Sequence, residues 1–193
     1  MALIPFPDQE KIPDEARVML SRLPSRINIF EMMAHAETSI KPVMKLGGTL
    51  LGKLKLDPRL RELCLLQTVR TGGGEYEWLQ HIPIAKDLGA TDAQIAALER
   101  GEDRAACFDA TEQAALVFTR ELATTRKASP EALAALRKHL SDREIVELIL
   151  MSGFYSMLAG LTETLEIEND PPVGSALVRN IEDRLKAKTQ QQK

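Results

Sequence analysis

Glu77 and His81 stand four residues apart in the stretch Glu75-Tyr76-Glu77-Trp78-Leu79-Gln80-His81. On a helix they share a face, about one turn apart. A carboxylate stacked on an imidazole is an acid/base pair, because the carboxylate fixes the ring's tautomer and raises its basicity while the ring titrates near neutral pH. A plainer reading has Glu77 complementing a helix N-terminus and His81 as a satisfied, half-buried histidine. Two features favour chemistry. Pro83 lies inside the same helix, cannot donate to the carbonyl of Leu79, and so perturbs the backbone beside His81. Gly72-Gly73-Gly74 comes immediately before, and such a break lets other groups approach the helix start closely.

The elements that must position this pair can be read outward from it. Asp57 suits an N-cap and Pro58 the first helical position, so a helix starts there. Leu60, Leu63, Cys64, Leu66, Gln67 and Val69 recur at near-helical spacing, with polar breaks at Arg61 and Glu62. The three glycines end that helix, and a second begins at about Glu75 and is closed by Gly89. Two stripes joined by a short turn predict that 58–71 and 75–88 pack as an antiparallel hairpin.

Arg61-Glu62, the glycine break, Glu77-Trp78-x-x-His81, Ala85, Gly89 and Ile95 together resemble the carboxymuconolactone decarboxylase family, which also contains alkyl hydroperoxidase D. The likeness is close over about residues 57–100 and looser through Phe154-Tyr155-Ser156-Met157-Leu158-Ala159. In the family's peroxidase branch the motif is Cys-x-x-Cys-x-x-x-His, with a glutamate twelve residues before the first cysteine. Laid on this chain, the histidine falls on His81, the glutamate on Glu62, and the two cysteines on Gly74 and Glu77. The thiol pair is therefore absent. The decarboxylase branch has a glutamate four residues before the histidine, as Glu77 stands here. The resemblance implies an all-α, single-domain bundle and an enzyme that uses Glu62, Glu77 and His81 for proton transfer on a small organic acid or lactone, without a cofactor. In that reading His81 is the acid or base, Glu77 orients it, and Glu62 relays or holds a proton. Trp78, Tyr155 and His35 are candidate substrate contacts. A carboxylate substrate needs cations, for which Arg59, Arg61 and Arg70 are near. The resemblance also implies a homo-oligomer, a trimer or hexamer.

Two other readings compete with this one. Thiol-dependent peroxide reduction would require Cys64 or Cys107 to replace the missing pair, yet Cys64 lies on an apolar stripe, where reactivity falls. A metal- or ligand-binding protein is the other, with Glu77 and His81 as ligands and Glu62 or His35 as a third. Two ligands at helical spacing are a weak signal, and no metal is assigned.

At 193 residues, with 44% hydrophobic and 27% charged residues, the chain suits one soluble domain. A net charge of −3 with mixed signs gives no general attraction to nucleic acid or an anionic membrane. Two cysteines make no disulfide framework, and the amino terminus lacks a secretory pattern, so the expected location is cytoplasmic. The most apolar run, Leu148–Leu161, is short for a bilayer span.

The rest of the chain also reads as helices. An arm over 1–13 precedes a helix over 14–23. Ser25 then caps a helix bearing Ile27, Phe30 and Met33, with His35 at its end. Thr38 or Ser39 caps a third, loosened at Gly47-Gly48. Thr91 starts a short helix, and Cys107 lies in a charged loop. Thr111 opens a long helix to about Arg126, and Ser129-Pro130 opens one reaching Leu140, with His139 in its last turn. Ser141-x-x-Glu144 is a capping box. The following segment, 145–161, is apolar nearly all round, which predicts a central helix or one covered by another subunit. The core ends at about 168, before Asn169-Asp170-Pro171-Pro172, and a tail helix is expected over about 174–193. No stretch alternates as a strand would.

Overall fold

The structure is a computed structural model and describes residues 1–8, 10–23 and 25–174. The expected tail helix therefore falls almost wholly outside the described residues. Those that are described form helices only: α1 (Asp14–Leu20), α2 (Asn28–Met33), α3 (Ile40–Gly52), α4 (Pro58–Gly72), α5 (Glu75–Asp87), α6 (Asp92–Glu99), α7 (Ala110–Thr125), α8 (Pro130–Leu136) and α9 (Asp142–Thr164). They share one hydrophobic core.

The centre of that core is α4, with α5, α7 and α9 packed around it. From Leu60 to Val69 every side chain is buried, including Arg61, Glu62, Gln67 and Thr68. Each fully buried leucine on it contributes roughly 1.5–3 kcal/mol relative to exposure, so a polar residue on this helix must find partners inside the protein. Its start is fixed twice. Asp57 accepts from the N–H of Leu60, and the carboxylate of Glu147 on α9 accepts from the N–H groups of Lys55 and Leu56, at 2.7 and 2.9 Å.

The hairpin forms as the sequence predicts. Gly73 ends α4 in the left-handed region (φ 83°), where a side chain is strained. The contacts then nest: Val69 lies against Gly74 at the turn, and Glu62 meets His81 farther out. Nested contacts mean antiparallel helices. Trp78 is buried beneath the guanidinium of Arg70, 5.7 Å from its ring, which clamps the turn on one side.

Several boundaries differ from expectation. Helix α1 stops at Leu20, and α2 starts after Ile27 with no side-chain cap, so Ser25 does not cap it. Gly47-Gly48 does not interrupt α3, which is continuous. The cap of α7 is Asp109, in a reciprocal box with Glu112, rather than Thr111. Helix α8 ends at Leu136, which leaves His139 beyond it, exposed and 3.1 Å from the hydroxyl of Thr111. The boxes at Thr91 and Ser141 form. Helix α9 is 23 residues long and apolar enough by composition to cross a membrane, but half of its most apolar window is buried in the fold.

Candidate functional site

Glu62 reaches the site from α4, Glu77 and His81 from α5, and Tyr155 and Thr162 from α9. All are buried, Glu62 fully (0% exposed), Glu77 to 3% and His81 to 7%. The helix register explains the meeting. Residues 77 and 81 share the face of α5 turned toward α4 and α9, and the antiparallel hairpin brings Glu62 opposite His81.

Glu62 is the hub. One of its oxygens, Oε2, lies 2.7 Å from Nδ1 of His81. The other, Oε1, accepts from Nε of Arg61 at 3.0 Å. Nη1 of Arg61 donates to the carbonyl of Leu51 at 2.5 Å. Its Nη2 sits 2.9 Å from Oε1 as an ion pair, at an angle that leaves it without a hydrogen bond. Burial alone would raise the pKa of Glu62, but His81 and Arg61 together outweigh it and hold the group below its ordinary value. It is a carboxylate at neutral pH. With Nδ1 tied to that carboxylate, Nε2 is the nitrogen left for chemistry, and it has no hydrogen-bond partner among the described residues.

Glu77 is in the opposite condition. Its carboxyl lies 3.2 Å from the hydroxyl of Thr162 by either oxygen, and no cation pairs with it among the described residues. Burial pushes its pKa up to about 7; its own backbone N–H, Thr162 and His81 oppose the rise only partly. The start of α5 is capped from α9, where Glu163 accepts from the N–H of Glu75 at 2.9 Å, and that second carboxylate also disfavours charge on Glu77. Gly74 makes room for the arrangement. A Cβ there would lie 2.7 Å from Cβ of Ala159, 3.2 Å from Cβ of Val69 and 3.0 Å from Oε2 of Glu77.

The pair expected from spacing alone is thus rearranged. Glu62, nineteen positions upstream, holds the ring of His81, and Glu77 sits beside it as a carboxyl half-protonated near neutral pH. Tyr155 joins them, its ring edge-on to His81 with centroids 4.9 Å apart, and its hydroxyl has no hydrogen-bond partner among the described residues. Burial, with Glu62 and Glu77 adding to it, keeps that phenol protonated. The other expected contacts lie elsewhere. Trp78 faces Arg70, and His35 is exposed, with Nε2 2.8 Å from the carbonyl of Pro5, so it tethers the amino-terminal arm. Arg61 is the one arginine of the three that reaches the cluster. Arg59 pairs with Glu112 and Arg70 bonds the carbonyl of Glu99. Thr162 was not singled out in the sequence, and its only signal was a hydroxyl on an otherwise apolar helix. Among the described residues no group of three or more His, Cys, Asp or Glu is arranged to hold a metal ion.

Residues 41–121 match the family model described as Carboxymuconolactone decarboxylase family. No curated protein matches the chain. Among solved structures, the fold is similar to an alkylhydroperoxidase AhpD core, an uncharacterized peroxidase-related protein from Ralstonia eutropha JMP134, at 16% identity and TM-score 0.76 over 88% of this chain and 92% of that one. A peroxidase-related protein from Silicibacter sp. TM1040 gives 16%, 0.75, 88% and 92% in the same terms. The debrominase Bmp8, in its complex with 2,3,4-tribromopyrrole, gives 15%, 0.70, 95% and 97%. At such identities these structures share the fold. The matched segment contains Glu62, Glu77 and His81, and it carries a likeness to the carboxymuconolactone decarboxylase family within a helical bundle of the AhpD-like fold.

Proposed function

We propose that this protein is a lyase-like enzyme that moves protons with its own side chains, decarboxylating a small organic acid or lactone. The observation that carries the reading is the contrast between two buried carboxyl groups. Glu62 is held ionised against His81 and Arg61, while Glu77 has a pKa of about 7. Groups whose environments push their pKa values apart divide acid and base roles between them.

In the reaction the bond between the carboxylate carbon and the substrate's α-carbon breaks and carbon dioxide leaves. The electron pair stays on the α-carbon, delocalised into the lactone carbonyl, and is then protonated. Glu77, protonated before the reaction, supplies that proton. His81, held by Glu62, takes up a proton from water on Nε2 and passes it to Glu77, which restores the acid for the next turnover, and the hydroxyl of Tyr155 donates to a developing oxyanion.

The fold neighbours include peroxidase-related proteins and a debrominase, but the thiols here do not favour such chemistry. Cys64 is fully buried, and burial pushes its thiol up to about 12. Cys107 is exposed in a loop, with its sulfur 3.7 Å from the carbonyl of Ala93 and outside the cluster. The test is a panel of small lactone acids incubated in deuterated water. Carbon dioxide release with deuterium at the former α-carbon, lost in His81→Ala and retained in the Cys64→Ser/Cys107→Ser double variant, is the expected result. Turnover that needs a thiol and survives His81→Ala would sink the reading.

A further inference from the structure

Glu62, Glu77 and Tyr155 are at most 3% exposed and His81 7%, an opening too small for an organic substrate unless something moves. The walls differ in how they are held. Helices α4, α7 and α9 meet through the apolar core. The segment 166–174, by contrast, crosses the outer flank of α5 and is fastened there chiefly by polar contacts. It leaves α9 by a sharp turn at Glu166, whose φ of 50° is unusual for a residue with a side chain. The carboxylate of Asp170 then accepts from the hydroxyl of Tyr76 and, at 2.7 Å, from the N–H of Asn28 at the start of α2. Gln80 donates to the carbonyl of Asp170 at 2.9 Å and accepts from the N–H of Val173 at 3.3 Å. The side chain of Asn28 holds the carbonyl of Glu168 at 3.0 Å. Tyr76, Gln80 and Pro83 form one flank of α5, next in rotation to the face that bears Glu77 and His81.

We propose that residues 166–174 are a gating strap over the buried cluster, latched by the carboxylate of Asp170. One acceptor joins three elements, so its release frees α2, α5 and the strap together. The strap's one fully buried apolar anchor is Ile167, at its α9 end, and Val173 at the far end is only partly buried against the core, so the far end is the weaker attachment. The gate governs access to His81, whichever reaction the site performs, and its test needs no substrate.

The test is carbethoxylation of the three histidines by diethyl pyrocarbonate, mapped by mass spectrometry. His35 and His139 are exposed and serve as internal references for His81. Asp170→Ala and the shape-preserving Tyr76→Phe each remove hydrogen bonds of the latch. Each is expected to raise the rate at His81, relative to the references, by roughly 3- to 30-fold, the effect of one or two lost hydrogen bonds on an opening equilibrium. Amide exchange should rise over 166–174 and stay unchanged over α4. Faster strap exchange with an unchanged His81 rate would overturn the gate, because the strap would open without uncovering the cluster. Unchanged strap exchange in both variants would overturn the latch.

Discussion

At the scale of single residues, the abnormal proton affinity of Glu77 is the property most open to measurement. Its folded pKa of about 7 lies above the roughly 4.3 of an unfolded glutamate, so the native state binds the proton more tightly. The stabilisation from that proton is fully present below about pH 4.3 and is lost as pH rises through about 7, because the native state then carries a buried charge. Glu77→Gln removes the charge and keeps the shape. Urea unfolding should therefore show the variant gaining on the wild type between pH 4.5 and pH 8, by about 1–3 kcal/mol; a gap that does not widen with pH would mean Glu77 is solvated. The same substitution should nearly abolish turnover, since an amide cannot donate the proton. His81→Ala should cost roughly 10²- to 10⁴-fold, the usual share of general acid–base catalysis. Glu62→Gln should approach that loss, because Nδ1 loses the acceptor that fixes the ring. How these residues divide their roles was only half legible in the sequence. The shared face of Glu77 and His81 follows from a spacing of four. The bond from Glu62 to His81 depends on the offset between two helices, and no periodicity within either one encodes that.

At the scale of elements, the hairpin was the most legible part of the chain because its signals are local. A cap at Asp57, proline at the next position and glycines at the turn each act within a few residues. The sequence did not reveal why Gly74 must be glycine, since the reason lies on α9. Its φ is −76°, which any residue adopts, so the constraint is steric alone. Gly74→Ala should destabilise by about 1–3 kcal/mol, the usual penalty of overpacking, because its Cβ would meet that of Ala159 at 2.7 Å. Ala159→Gly in the same chain should restore most of the loss. A double-mutant cycle by thermal unfolding checks this, and additive losses would show that the two sites are independent. The cycle also bears on the missing thiol pair. A side chain at position 74 has to displace Ala159 or the carboxyl of Glu77, so the packing here suits a carboxyl site.

At the scale of the whole molecule, the sequence picked out the long apolar helix and left it two settings, enclosed at the centre or covered by another subunit. Helix α4 takes the fully enclosed place that the run 145–161 suggested for itself, and α9 lies against it with one side open. On that side Val146 is 54% exposed, Ile149 40%, Leu150 55% and Met157 50%, with Gly153 and Gly160 between and beyond them. These positions recur every three or four residues and therefore form a single stripe. An apolar stripe of this length, flanked by glycines that allow close approach, is costly to leave in water and suits a matching helix. We propose that a second copy of the chain covers it. A symmetric pairing would set α9 against α9, stripe on stripe, and would not involve α4 or the hairpin. Light scattering after size exclusion should give a mass above that of the 21.4 kDa chain at micromolar concentration. Leu150→Glu, which places a charge at the middle of the stripe, should lower the mass to that of one chain while leaving the helical circular dichroism intact. The exposed position makes the variant tolerable to the monomer, because glutamate is a good helix former and no buried contact is lost. A wild-type chain that runs as a monomer at these concentrations would remove the claim, and an assembly indifferent to Leu150→Glu would move the interface off α9.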